Sequence, residues 1–282
     1  MKFTTSVLVV LGLAALGAQQ AAPKQAAPQQ PPAPSPTGYK DTPKQAYGKW
    51  LIHDDDRPRP AVVTPGPFVG LPAPADAIVL LGAGQDLSKW QMTQGGGAVT
   101  WPIENGVLSS GKGMIRTKQD DFTDYQLHVE FATPSEVKGD SQGRGNSGVF
   151  YRGTDEFNQI YWSAPEYQLL DNLNAADNKK DNHLAGSVYD LYAVPKDAAK
   201  PANEWNQTRI VAKGKHVEHW LNGQKVASYD VGSADWDAAI KASKFSPEKY
   251  PNFGKAPKGY LGIQGDHPGT LALRNIRIRE LQ

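Results

Sequence analysis

Apolar and polar residues alternate over short stretches between Ala77 and Leu281, with the two-residue period of half-buried β-strands. The clearest example is Tyr125–Phe131, in which every second side chain is apolar or aromatic. Ala77–Leu81 is a continuous apolar run, and Asn105-Gly106 and Asn222-Gly223 are typical of tight hairpin turns. The pattern therefore predicts a domain built almost entirely from β-strands.

The same pattern predicts further strands towards the carboxyl terminus. They are Asn206–Lys213, Lys215–Leu221, Val226–Val231, Tyr260–Gln264 and Leu271–Leu281. The last strand changes its apolar face near Arg274-Asn275, which predicts a β-bulge. One helix is predicted at Ser233–Lys244, with Ser233 or Asp235 near its cap. Many short strands and few helices are typical of a β-sandwich or jelly roll.

Two of the predicted strands, Asn146–Arg152 and Pro165–Asn172, carry an unusual set of polar residues. Alternate side chains of a strand share a face, so Glu166 and Gln168 point the same way, and Arg152 ends the neighbouring strand. A carboxylate, an amide and a guanidinium together can grip sugar hydroxyls or an oxyanion. The functional hypothesis places a site here, while the alternative is an ordinary solvent-facing strand.

Other acidic side chains are weaker candidates. Asp171 closes the second strand and either joins the site or caps the turn. Glu130 and His128 share the polar face of their strand, and either could act as a general base. Asp177 and Asp181 offer oxygen ligands for a cation such as calcium, but their spacing matches no calcium loop, so a solvated loop is favoured.

A glycine-rich turn after Gln264 forms a second candidate site. It places Asp266 beside His267, where the carboxylate either orients the imidazole or bonds its own backbone. Tyr189 follows an Asn-rich loop and could line a groove. No zinc motif, phosphate-binding loop, dinucleotide fingerprint or nucleophile elbow is present in the sequence.

Net charge and the amino-terminal residues indicate which class of partner to exclude and in which compartment the protein is expected. The 282 residues carry a formal net charge of +1 with scattered Lys and Arg, so we expect no nucleic-acid partner. Lys2 followed by the apolar run Val7–Leu16 and small residues predicts a secretory signal peptide at residues 1–18, with a retained anchor as the alternative. The chain contains no Cys and therefore no lipoprotein anchor site. We expect a periplasmic or secreted protein that leaves the membrane after signal cleavage.

The residues that follow the signal divide into two further segments. Residues 19–46 are rich in Pro, Ala and Gln and are predicted to be a disordered linker. Residues 47–76 contain several prolines and are predicted to be an extended arm. Asp54–Asp56 within the arm could hold a cation, although an acidic turn paired with the neighbouring arginines is favoured. The β-sandwich domain is expected at residues 77–282.

Several motifs in the β-rich part carry a family resemblance. In chain order they are Asn146–Arg152, Glu166–Asp171, Trp205-Asn206, Trp220–Gly223 and Arg274–Ile278. This ordered set resembles the 3-keto-disaccharide hydrolase domain family. Members often end a late strand with Gln-Asp-His-Gly, whereas here Gly265 follows Gln264 and Pro268 follows His267. The resemblance implies an all-β, concanavalin A-like jelly-roll β-sandwich with a groove on its concave sheet, to which the sequence adds one short helix and an extended N-terminal arm.

The resemblance also implies cleavage of glycosides whose sugar carries a ketone at carbon 3. The ketone acidifies the hydrogen on carbon 2, so a base, an oxyanion stabiliser and an acid for the leaving group are needed. In this scheme Glu166 is the acid/base, Arg152 and Gln168 are stabilisers or sugar grips, and Asp171 or His267 is an auxiliary group. Further substrate contacts are expected from Asn146, Glu130, Tyr189 and Gln264.

Three alternatives to this enzyme remain open at the level of sequence. One is ordinary hydrolysis by two carboxylates on the same fold. Another is a non-catalytic, lectin-like module that binds carbohydrate through aromatic and amide groups, and the third is a structural role of the N-terminal arm. The expected partner is a glycoside or oligosaccharide. No cofactor is required by the chemistry, although a divalent cation could replace Arg152 as the electrophile.

Overall fold

A computed structural model describes residues 42–44, 51, 73–136 and 143–281. The chain divides into two compact units, at residues 1–68 and 69–282. In the first unit Lys44 and Leu51 form an isolated antiparallel bridge. The predicted signal peptide and nearly all of the predicted linker and arm lie outside the described residues, so those predictions stay predictions.

Two antiparallel sheets make up the second unit. The larger sheet has eight strands. Seven of them are, in spatial order, β11 (Gln224–Asp230), β10 (His216–Leu221), β9 (Asn206–Lys213), β6 (Tyr125–Ala132), β13 (Ala272–Glu280), β4 (Val107–Ser109) and β3 (Ile103–Glu104), and β1 (Ile78–Leu81) also pairs with β13. The predicted late strands are thus confirmed to within two residues at most ends.

The smaller sheet has five strands and carries the polar strand pair. Its spatial order is β2 (Trp90–Met92), β5 (Ile115–Thr117), β12 (Tyr260–Ile263), β7 (Ser147–Gly153) and β8 (Glu166–Leu169). The helical segments are the helix α1 (Ala234–Ala242) and the 3₁₀ turns Ile160–Trp162, Asp181–His183 and Lys196–Ala198. Within the described part of the chain, no helix is long and apolar enough to cross a membrane. The predicted all-β jelly-roll sandwich is confirmed.

Alternation along the strands produces the core between the sheets. On β6 the side chains of Tyr125, Leu127 and Phe131 are buried, whereas Gln126 and His128 are partly exposed on the opposite face. On β8 the core-side residue is Tyr167, whose hydroxyl donates a hydrogen bond to the Trp220 carbonyl at 3.0 Å. The neighbours of Tyr167 on β8 therefore point out of the core, away from the larger sheet.

Local signals in the sequence set the turns, the bulge and the helix start. Asn222 and Gly223 have φ angles of 50° and 85°, the left-handed values that a two-residue hairpin turn requires. The pairing of β13 with β6 slips between Arg274 and Arg277, which confirms the predicted bulge. Ser233 caps α1 by accepting a hydrogen bond from the Trp236 amide at 3.1 Å.

Helix α1 ends earlier than predicted, and this difference matters for the site. It stops at Ala242, and the hydroxyl of Ser243 donates to the Ile240 carbonyl at 2.9 Å. A Ser that bonds backward in this way competes with helical hydrogen bonding. Lys244, which the prediction placed in the helix, instead lies in the loop that follows.

Candidate active site

A cavity of about 250 Å³ opens on the outer face of the five-stranded sheet. We call it the carboxylate cavity, and its lining residues are Asn146, Tyr161, Trp162, Glu166, Gln168, Tyr189, Lys244, Gln264 and His267. They come from β8, the turn after β12, the 3₁₀ turn Ile160–Trp162 and three loops. Six of them were predicted as site residues, so the structure brings together most of the expected set.

Glu166 is the buried acid of this cavity, only 7% exposed. It stands on β8 opposite Phe150 of β7, and its carboxylate lies over Gly148. A side-chain carbon at Gly148 would overlap the carboxyl group, so this strand glycine provides the space for the acid. Burial raises the pKa of Glu166 to about 7, with the Lys244 charge acting in the opposite direction. The group can therefore gain or lose a proton near neutral pH.

Gln168 orients the acid. In the amide orientation that satisfies its neighbours, its Nε2 donates to Glu166 Oε1 at 3.2 Å and to the Ser147 carbonyl at 2.8 Å. The Ser147 hydroxyl donates to the backbone carbonyl of Gln264 at 2.8 Å, and the backbone amide of Gln264 donates to the Gly148 carbonyl at 3.0 Å. These bonds fix the edge of β12 against β7, so that Gln264 and Glu166 face the same cavity.

Lys244 supplies positive charge to the carboxylate cavity. Its ammonium lies 4.3 Å from the centre of the Tyr189 ring, in a cation–π contact. Its backbone amide donates to Asp190 Oδ2 at 2.9 Å, which holds the loop after α1 against the loop that contains Tyr189. Both the backbone and the side chain of Lys244 are therefore placed by tertiary contacts with one loop.

A buried histidine supports the loop that contains Tyr189. His183 Nδ1 lies 2.8 Å from Asp177 Oδ1, and its Nε2 lies 3.1 Å from Asp190 Oδ1. The hydrogen bond with Asp177 raises the pKa of His183, and the contact with Asp190 adds to the effect. The Tyr189 hydroxyl donates to Asp177 Oδ2 at 3.3 Å. Asp177 is thus paired with a histidine and a tyrosine.

His267 lies at the cavity wall despite the altered motif around it. Burial lowers its pKa, so the imidazole is neutral at pH 7. Asp266 Oδ1 accepts a hydrogen bond from the Gly113 amide at 2.6 Å, a contact with the neighbouring chain segment rather than with its own turn. The predicted alternatives for Asp266 were an imidazole partner and a bond to its own backbone, and this contact is neither.

The structure does not bring Arg152 to the carboxylate cavity. Its φ angle is +54°, which ends the alternation of β7 and turns the side chain away from the face that carries Gly148. The guanidinium Nη2 donates to the carbonyls of Thr123 and Gly214 at 3.0 and 2.9 Å, and lies 3.8 Å from Asp124 Oδ1. The placement of Arg152 beside Glu166 was therefore wrong, and the residue ties loops together instead.

Asp171 also lies outside the cavity lining. Its Oδ1 accepts hydrogen bonds from the amides of Leu173 and Asn174, both at 3.2 Å, and its Oδ2 is 3.3 Å from Arg144 Nη1. This is the turn-capping role, one of the two that the sequence left open.

Glu130 belongs to the other sheet. It stands on β6, where Arg274 Nε donates to its Oε2 at 2.7 Å and His128 Nε2 lies 3.4 Å from its Oε1. Burial would raise the pKa of Glu130, but these partners lower it to about 2. Glu130 therefore does not line the carboxylate cavity, since the β6 face that carries it points away from the core on the opposite side of the sandwich.

Sequence reasoning missed three residues of the cavity. Tyr161 and Trp162 lie in a 3₁₀ turn, where the Trp162 ring stacks on Tyr250 at 4.3 Å. An adjacent pair of aromatic residues in a predicted loop was the available signal, since aromatic side chains are a common surface for sugars. For Lys244 no local signal existed, because a Lys at the end of a predicted helix is usually solvated.

Comparisons with known proteins agree with this geometry. Residues 76–279 match the family model described as the 3-keto-alpha-glucoside-1,2-lyase-like domain. The chain belongs to this family. A 3-keto-disaccharide hydrolase from Bacteroides thetaiotaomicron is 32% identical over 244 residues, which cover 75% of this chain and 81% of that protein. The protein is accordingly a glycosidase-like enzyme with a glycoside as its class of substrate.

Two crystal structures of proposed glycosyl hydrolases from Parabacteroides distasonis share the fold. One has a TM-score of 0.64 at 29% identity and covers 73% of this chain and 94% of that chain. The other has a TM-score of 0.57 at 26% identity, with coverages of 73% and 99%. The sandwich of this family member is thus closely similar to known structures.

The described residues do not contain a group of three or more His, Cys, Asp or Glu arranged to hold a metal ion. A divalent cation in place of Arg152 stays a prediction. The polar groups of the carboxylate cavity include one buried acid, one ammonium, one imidazole and three amides, all of which can contact sugar oxygens.

Proposed function

We propose that this family member cleaves glycosides whose sugar is oxidised to a ketone at carbon 3, by elimination and hydration. The observation that carries the proposal is the burial and the raised pKa of Glu166. It is a buried acid with a pKa of about 7, in a cavity that also holds a lysine and several amides. A base for a carbon acid works best when its pKa lies near the working pH.

In the proposed reaction the Glu166 carboxylate removes the proton from carbon 2 of the sugar. The electron pair of that C–H bond forms the enolate with the carbon 3 ketone. Collapse of the enolate forms the carbon 1–carbon 2 double bond and breaks the bond from carbon 1 to the glycosidic oxygen, which takes a proton. Water then adds to carbon 1 and a proton returns to carbon 2, so the net change is hydrolysis.

The other lining residues take the remaining roles. Lys244 is the cation that stabilises the enolate oxygen, a role first expected of Arg152. Gln168, Asn146 and Gln264 hold sugar hydroxyls through their amides. His267, which burial keeps neutral, can accept a hydrogen bond from the water that adds to carbon 1.

The relatives support the substrate class. The curated relative is named for hydrolysis of 3-keto-disaccharides and the family description for a 3-keto-α-glucoside lyase. These names describe both halves of the proposed reaction, since a lyase stops after elimination and a hydrolase continues with water. We extend that substrate class to this chain.

We further propose that the enzyme acts outside the cytoplasm. Lys2 and the apolar run Val7–Leu16 support this location. Cell fractionation and amino-terminal sequencing of the mature protein test it, and the expected mature terminus lies close to residue 19. An intact Met1 on protein recovered from the cytoplasm contradicts it.

The reaction is tested with matched pairs of substrates in deuterated water. We expect turnover of a 3-keto-glucoside and none of the same glucoside with its carbon 3 hydroxyl intact, because only the ketone makes the carbon 2 hydrogen acidic. The released 3-keto-sugar should carry deuterium at carbon 2, as read by mass spectrometry and NMR. Equal turnover of both glycosides, or product without deuterium, contradicts the proposal in favour of direct displacement at carbon 1.

A further inference from the structure

A second cavity, of about 320 Å³, lies beside the ends of β2 and β5 of the five-stranded sheet. We call it the methionine cavity, because Met92 and Met114 both line it. The chain has three methionines in all, and the third is Met1. Every methionine after the first residue is therefore placed at this one cavity.

The methionine cavity adjoins the carboxylate cavity. Asp266 lines the methionine cavity and His267, the next residue, lines the carboxylate cavity. Likewise, Gln159 lines the methionine cavity and Tyr161 lines the carboxylate cavity. Met114 packs on the same apolar cluster as Tyr161. A substrate that fills the first cavity can thus extend across this shared wall into the second.

The wall between the two cavities is built by the altered motif of this chain. A side-chain carbon at Gly265 would overlap the carbonyl oxygens of Gly111 and Gly113, so only glycine permits the close approach of the two segments. The Asp266 amide donates to the Gly111 carbonyl at 2.9 Å, and its carboxylate accepts from the Gly113 amide. The extra glycine after Gln264 therefore holds Asp266 at the mouth of the methionine cavity.

The two cavities differ in chemistry. The carboxylate cavity presents a buried acid, an ammonium and amides, which suit an oxidised sugar. The methionine cavity is lined by two thioether side chains, with Lys112 and Thr93 among its polar residues. Methionine is unbranched and polarisable, adapts to irregular apolar surfaces and makes favourable contacts with aromatic rings.

We propose that the methionine cavity binds the leaving group of the substrate, and that it favours an aromatic aglycone over a small or fully hydroxylated one. The inference rests on the proposed function, because it assigns the ketone-bearing sugar to the carboxylate cavity. The aglycone is then the part of the substrate that passes His267 and Asp266. Its ring contacts Met92 and Met114, and its polar substituents face Lys112.

The test compares three forms of the enzyme on two substrates, a phenyl and a methyl 3-keto-glucoside. The double variant Met92→Gln with Met114→Gln keeps the side-chain lengths but removes the apolar contacts, and the matched control is Met92→Leu with Met114→Leu. We expect the Gln variant to lower kcat/KM for the phenyl substrate by about tenfold and to leave the methyl substrate within about twofold. The Leu variant should retain the phenyl preference. Equal losses on both substrates, or no loss on either, overturn the inference.

Direct binding separates this inference from the proposed function. Free 4-nitrophenol is titrated into the wild-type chain and the two double variants by calorimetry. Binding that the Gln variant loses and the Leu variant keeps supports the methionine cavity even when no 3-keto-glucoside is cleaved. Conversely, turnover of 3-keto-glucosides without any dependence on the aglycone or on the methionines leaves the proposed function standing and overturns the inference alone.

Discussion

Two buried glutamates, one on each sheet, have opposite acid–base properties. Glu166 on the five-stranded sheet has a pKa of about 7, and Glu130 on the eight-stranded sheet has a pKa of about 2. Both stand on strands, both point away from the shared core, and they are 7% and 1% exposed. Strand position and burial alone therefore do not distinguish a catalytic acid from a structural one.

The difference comes from the partners that each carboxylate meets. Arg274 donates to Glu130 at 2.7 Å, and its guanidinium stacks 3.7 Å from the ring centre of Trp205. Among the described residues, none forms a salt bridge with Glu166. The Lys244 ammonium lies over the Tyr189 ring, and its charge lowers the pKa of Glu166 without a direct ion pair. A paired buried carboxylate stays ionised and fixed, whereas one that is buried without a pair can bind and release a proton at neutral pH.

The largest expected effect is on catalysis at Glu166. Glu166→Gln keeps the shape but removes the base, so we expect kcat to fall about 10³-fold on a 3-keto-glucoside. Steady-state kinetics measure it, and Glu130→Gln is the matched control on the other sheet, with kcat retained in the folded protein. Comparable losses of kcat in both variants would contradict the difference proposed between Glu166 and Glu130.

The next effect is on stability at Glu130. Glu130→Gln leaves the Arg274 guanidinium partly buried without its anion, so we expect the free energy of unfolding to fall by about 3 kcal/mol at pH 7. Chemical denaturation measures this loss. A change below about 0.5 kcal/mol would show that the pair contributes as little as an exposed one.

The pH dependence of stability should have opposite signs at the two sites. Burial raises the pKa of Glu166, so wild type loses roughly 3 kcal/mol relative to Glu166→Gln as pH rises from 4.5 to 7. The pKa of Glu130 is lowered, so the stability it contributes is present above pH 4.5 and is lost as pH falls towards 2. Denaturation curves of the two variants across pH 3–8 test both signs, and parallel curves would contradict them.

A smaller effect is expected from Gly148, the glycine beneath the Glu166 carboxyl. In Gly148→Ala the new methyl group overlaps the Glu166 carboxyl and displaces it, so kcat should fall about 10²-fold. Gly97→Ala is the control, since a methyl group there meets nothing within 4 Å. Kinetics with full activity in Gly148→Ala would mean that Glu166 does not need its observed position.

The smallest effect on turnover is expected at Arg152. Arg152→Met removes the hydrogen bonds to the Thr123 and Gly214 carbonyls, so we expect a loss of about 2 kcal/mol in unfolding free energy and kcat within about twofold of wild type. Denaturation and kinetics on the same preparation measure both. A large loss of kcat in a fully folded variant would show that Arg152 contributes to catalysis.

The fold could be predicted well because its signals are local. The period of Tyr125–Phe131, the turn at Asn222-Gly223 and the bulge near Arg274 each depend on the conformational preferences of adjacent residues. The pairing of β7 with β8 followed from two adjacent short strands. The shared face of Glu166 and Gln168 followed from alternation alone.

The composition of the site was predicted only in part because cavities are assembled from distant segments. Lys244 reaches the site through contacts with Asp190 and Tyr189, more than fifty residues earlier in the chain. Arg152 lies outside the site because one left-handed φ angle turns its side chain away. Neither a long-range contact nor a single backbone reversal changes the local pattern of apolar residues.

The amino-acid sequence by itself determined the strands, the sandwich and the position of Glu166 on an outward face, because side-chain alternation is a property of the extended backbone. Only the tertiary structure decided that Glu166 can exchange a proton near neutral pH and that Glu130 is held ionised. The reason is electrostatic: the pKa of a buried carboxyl depends on whether a cation from another part of the chain lies within hydrogen-bonding distance. Arg274 does so for Glu130, and for Glu166 the fold places a glycine and an amide there instead.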